Sequence, residues 1–175
     1  AENSAEVYPE WWESDPYTAG KTYEEVYFNA VYTDGFAIPS TPLKANAGVP
    51  KRGMTVSCSR QYVENNIASK YLNNAETAIF TKLSHGCSVT VDDWLAEGDP
   101  IGEGDFSEGV VPIIEMIKNT TLEITHSTRR GQVAFYVGID HGDFWKIAQM
   151  LYEDPDGLNI GWLIPDSFID KLINK

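Results

Sequence analysis

Apolar residues recur at helical spacing in several stretches and alternate in others. Val110, Ile113, Ile114 and Ile117 form one stripe of a helix, with Ser107 placed to cap it and Pro112 tolerated in the first turns. Phe144, Ile147, Ala148 and Leu151 repeat the i, i+3, i+4, i+7 pattern behind Asp143, which reads as the cap of that helix. Val63, Ile67, Tyr71 and Leu72 predict a helix running from Ser59 to about Asn73, and Pro165-Asp166 opens a final short one with Phe168, Ile169 and Leu172. Strands are expected at Met54–Cys58, Cys87–Val91 and Leu158–Ile164, and Ala78–Leu83 is an apolar piece of either type.

Two further runs, Thr120–His126 and Gln132–Ile139, flank Ser127-Thr128-Arg129-Arg130-Gly131 and read as a hairpin. Pairing Ser127 with Gln132 puts Leu122 and Ile124 on one face with Val133, Phe135, Val137 and Ile139. Thr121, Glu123 and Thr125 then share the wetter face with Ala134, Tyr136 and Gly138. The expected class is α+β: a single domain with a mainly antiparallel sheet of about four or five strands, helices mostly on one face.

Residues 1–22 are acidic, aromatic and turn-rich and read as an N-terminal arm, with residues 23–175 as the single domain. Thr22-Tyr23-Glu24-Glu25 has capping-box spacing, which favours a helix from about Tyr23 to Tyr32 ended by Asp34-Gly35. Val26, Phe28, Ala30 and Tyr32 also alternate, so a strand stays open there. Residues 37–53, with Pro39, Pro42, Pro50, Gly48 and Gly53, read as a long exposed connection.

Composition narrows the function classes. The 175 residues carry 26 acidic and 13 basic side chains, a net charge of −13, with 42% hydrophobic residues. That is enough chain for one packed core. The acidic field argues against nucleic acid as a partner, because phosphate binding needs a basic footprint. No run is long and apolar enough to span a bilayer.

Cys58 and Cys87 are the two cysteines, and an even pair reads as a disulfide in an oxidising compartment. In the chain-entropy view such a bond is worth about 3–4 kcal/mol, while two buried free thiols are the alternative. The first residues, Ala1-Glu2-Asn3-Ser4, read as a mature end after signal cleavage or as a trimmed boundary. Asn119-Thr120-Thr121 matches the glycosylation triplet, which carries meaning only in a eukaryotic source. Together these features point to a periplasmic or secreted protein.

Candidate chemistry is sparse. His85, His126 and His141 are the three histidines, and the hairpin register holds His126 and His141 too far apart to share a metal ion. Asp99, Glu103 and Asp105, set among Gly98, Gly102 and Gly104, are weak calcium candidates without EF-hand spacing. Ser84-His85-Gly86-Cys87 places an imidazole beside a thiol, but sequence adjacency does not create a dyad and a disulfide would remove it. No nucleophile elbow, Walker loop or cofactor motif is present.

No catalytic residue is singled out, and the balance points away from an enzyme. The expected function is a non-catalytic exported binding protein of the inhibitor, immunity or accessory kind. Its acidic, aromatic surface, with Trp11, Trp12, Asp99, Glu103 and Asp105, would face a basic protein. An exported hydrolase working through acids and histidines, or a calcium-stabilised surface protein, is the alternative.

Overall fold

The computed structural model describes residues 8–49, 53–124 and 131–174. Its sheet has four strands, β1 (Cys58–Tyr62), β2 (Gly86–Thr90), β3 (Val133–Gly138) and β4 (Asn159–Leu163), in that spatial order. Every neighbouring pair is parallel. The antiparallel expectation is therefore corrected, and so is the hairpin.

The hairpin's first half belongs to a helix. Helix α4 (Val111–Glu123) continues the stripe of Ile113, Ile114 and Ile117 by one more turn to the buried Thr121. The i+4 continuation outweighs the β-branched, alternating look of Thr120–Ile124, since helical hydrogen bonds and burial act together over the whole segment. His126, Arg129 and Arg130 lie outside the described residues.

Helix α3 (Ile67–Lys82) links β1 to β2, and α5 (Phe144–Glu153) links β3 to β4. Asn66, not Ser59, caps α3: its side chain accepts from Ser69 N at 2.8 Å. The expected strand at Met54–Cys58 lies later, at Cys58–Tyr62, where Ser59 is a strand residue.

One core takes Phe80 from α3, Ile113, Ile114 and Ile117 from α4, and Ile147, Met150 and Leu151 from α5. These pack on Cys87, Val89, Val133, Phe135, Val137, Ile160 and Trp162, which all share one strand parity. The three helices thus cover the same face, as successive right-handed crossovers in sequential strand order require. Helix α6 (Asp166–Ile173) follows β4.

Towards the N-terminus, the capping box is complete. Glu25 N donates to Thr22 Oγ1 at 3.2 Å and Thr22 N donates to Glu25 Oε2 at 2.8 Å. It opens α1 (Tyr23–Phe28), which runs on as a π-helical turn to Thr33. Part of the expected exposed connection is helical: α2 (Thr41–Asn46) has Pro42 in its first turn, and Asn46 is buried with its amide donating to Met54 O.

Candidate functional site

The uncovered face of the sheet has a different chemistry from the packed one. Its rows run Cys58 and Gly86, then Arg60, Ser88, Ala134 and Asn159, then Tyr62, Thr90, Tyr136 and Gly161. Cys58, Arg60 and Tyr62 are exposed, and Ser88, Ala134, Tyr136 and Gly161 are half-buried. All-parallel sheets are normally covered on both faces by apolar residues, so a small, polar second face reads as a ligand-bearing surface. The C-terminal strand ends are the usual place for such ligands in α/β sheets.

Arg60 leans across β2 towards that end. Its Nε donates to Thr90 Oγ1 at 3.1 Å, and its guanidinium lies 5.9 Å from the Tyr136 ring centre. Tyr136 lies flush against Gly161, where any Cβ would overlap the ring. At the rim, Asp92 Oδ1 accepts from Gly138 N at 2.6 Å, and Asp140 also crowds Gly138. Tyr62 bonds Asp93, which together with lesser desolvation raises its phenol above the usual tyrosine range.

Behind this rim one carboxylate holds three segments together. Asp143 is buried, and it accepts from Val110 N at 3.0 Å and Glu97 N at 3.2 Å. Sequence placed Asp143 as the cap of its own helix; its side chain instead satisfies an amide at the start of α4. Gly109 (φ 78°) is required there, since a Cβ would overlap the carboxylate. His141 Nδ1 accepts from Asp143 N and Nε2 donates to Trp94 O at 2.8 Å, a network that fixes the tautomer. Lys146 pairs with Glu97 on the outside.

The cysteines are both free. Cys87 is paired in register with Ser59, so neighbouring Cys58 points to the opposite face. Cys87 lies in the helix-covered core, where burial pushes its thiol up to about 11. The expected disulfide is corrected for this reason: the two side chains leave the sheet on opposite sides.

His85 is buried at the start of β2, its Nδ1 2.9 Å from Val56 O, while His141 follows the end of β3. They do not converge. Asp99 accepts from Ala96 N at 3.0 Å within its own loop, and no group of three metal-ligating side chains occurs among the described residues. Glu103 and Asp105 are exposed in that loop, and Asn119 is exposed on α4. Trp12 is buried, donating from Nε1 to Lys21 O at 3.0 Å, whereas Trp11 is 56% exposed.

Arg60, Ser88, Thr90 and Tyr136 were not singled out by sequence. The signal available was parity: in β2 and β3 every second residue is small or polar, a pattern already visible as the wetter face of Ala134, Tyr136 and Gly138.

No protein-family model matches the chain. It is 29% identical over 163 residues to the ribonucleoside-diphosphate reductase subunit alpha of Bacillus subtilis, covering 86% of this chain and 22% of that protein. It is 28% identical over 136 residues to the subunit of the same name from Mycoplasma genitalium, covering 73% and 19%. The chain therefore spans about a fifth of the length of these relatives. Among solved structures, the class Id ribonucleotide reductase alpha subunit of Actinobacillus ureae has the same fold over 77% of this chain and 25% of its own. Its TM-score is 0.67 and its identity 23%.

These relatives overturn the expectation of a non-catalytic exported inhibitor or immunity-type protein. The periplasmic or extracellular location falls with it: the relatives are reductase subunits, and the disulfide that had suggested export does not exist.

Proposed function

We propose that this chain forms part of the catalytic alpha subunit of a ribonucleotide reductase, acting in the cytoplasm on ribonucleoside diphosphates. The reading is carried by two unlike comparisons that meet on one kind of protein: 28–29% identity over most of the chain, and a matching backbone. The open polar face supports it, because a reductase needs a surface that admits a polar substrate and presents a reducing group.

Replacing a ribose hydroxyl by hydrogen consumes two electrons and two protons and releases water. Cys58 is the thiol on the open face. Two thiols oxidised to a disulfide supply the two electrons and two protons, so Cys58 would act with a second thiol from another part of the subunit. Cys87, under the helices with its proton held tightly, is a packing residue.

The test is a chimera in which this chain replaces the matching segment of the Bacillus subtilis alpha subunit, assayed for deoxyribonucleotide formation. Turnover is expected, with Cys58→Ser abolishing it and Cys87→Ser sparing it in the folded fraction. A folded chimera without turnover, or one indifferent to Cys58→Ser, overturns the reading.

A further inference from the structure

Arg60 stands out in a chain with twice as many acidic as basic residues. It is the only basic side chain on the open sheet face, and no carboxylate of the described residues pairs with it. Its Nε is fixed by Thr90, itself 2% exposed, and its plane is steadied by Tyr136, which Gly161 leaves room for. The two Nη groups have no partner among the described residues. An arginine anchored at one nitrogen, with its outer fork unpaired, is pre-organised for two-point contact with an oxyanion.

We infer that Arg60 binds the phosphate groups of a nucleotide lying across the open face, with Thr90 and Tyr136 positioning the guanidinium. This rests on the reductase reading and adds a contact to it. Position argues for a nucleoside diphosphate over a smaller anion. Arg60 is two residues along β1 from Cys58, on the same side, about 7 Å away by strand rise. That offset suits a molecule placing its sugar at the thiol and its phosphates at the arginine. The net charge of −13 and the rim carboxylates Asp92, Asp93 and Asp140 oppose an anion, so binding rests on the direct two-point contact with Arg60.

The experiment titrates the full chain with ADP, inorganic pyrophosphate and adenosine at low ionic strength, following backbone and Arg side-chain NMR signals. ADP and pyrophosphate should bind with shifts centred on Arg60, Thr90 and Tyr136, and adenosine should bind far more weakly. Arg60→Gln should weaken both anions about tenfold or more, since a charge-assisted two-point contact is lost. Arg60→Lys should recover part of this, and Thr90→Val should cause a smaller loss by freeing Nε. Circular dichroism checks that each variant is folded.

Equal pyrophosphate affinity in the wild type and Arg60→Gln, or no diphosphate binding by the folded wild type, overturns the inference. So does an acidic peptide competing as well as ADP, which would make the surface a protein contact. The two proposals fail separately. A chimera that turns over with unchanged KM after Arg60→Gln sinks only the phosphate contact. Arg60-dependent pyrophosphate binding by this chain, with a folded but inactive chimera, sinks only the reductase reading.

Discussion

The two faces of one sheet carry opposite instructions. On one, Val89, Val133, Phe135 and Val137 alternate into a core closed by three helices; on the other, Ser88, Thr90, Ala134 and Tyr136 occupy the intervening positions of the same strands. The backbone is common to both, so the difference is wholly in side chains. The covered face holds the fold by removing apolar surface from water, and the open face can hold chemistry because the main apolar core lies on the other side.

The sharpest way to break this contrast is Phe135→Ala. Phe135 is fully buried beneath α4 and α5, and its loss should cost about 3–5 kcal/mol, measured by urea unfolding. A cost under about 1 kcal/mol would mean that the face is not a packed core.

Next comes Asp143→Ala. It strands the amides of Val110 and Glu97 and should cost about 2–4 kcal/mol, since hydrogen bonds to a charged acceptor are the stronger ones. Asp143→Asn, which keeps the acceptor oxygen, should cost less.

Gly161→Ala sharpens the comparison on the open side. The added methyl meets the Tyr136 ring and should cost about 1–2 kcal/mol, a penalty that Tyr136→Ala in the same chain relieves. Additive losses in the double mutant would show that the ring does not lie there.

The smallest effects concern the two thiols. Cys58 should react rapidly with a thiol reagent at neutral pH and Cys87 only on unfolding. Burial keeps the proton on Cys87 to about 11, against 9.0 for a free thiol. The unfolded chain therefore gives up that proton first, and this thiol's contribution to stability is complete below pH 9 and declines from 9 towards 11. Cys87→Ala should flatten the fall in urea midpoint over that interval.

Much of the helical half was legible because its signals are local. Thr22 with Glu25, the stripe from Phe144 to Leu151, and Pro165-Asp166 each name a helix within a few residues. Strand direction was not legible, because parallel pairing is decided by crossovers dozens of residues long. Thr120–Ile124 shows the ambiguity: five residues alternate as a strand would, and only the burial of Thr121 one turn beyond Ile117 decides for helix.

The site was harder still. The cysteine pair suggested a bond because the count is even, yet the two lie in neighbouring strands with a one-residue offset in register that sends them to opposite faces. Net charge drew attention to the acidic loop around Asp99, Glu103 and Asp105, whereas the basic side chain that the strands bring to the open face is Arg60. Trp11 and Trp12 do split into one exposed and one buried ring, as adjacent residues must when only one side is covered.

Asp143 gives the molecule a shared clasp. One side chain at the head of α5 secures the amide that begins α4 and the loop after β2, so neither βα unit can fray without releasing the other. Native-state hydrogen exchange should then find the amides of Glu97 and Val110 opening in step, as one cooperative unit, while the outer turns of α6 exchange on their own.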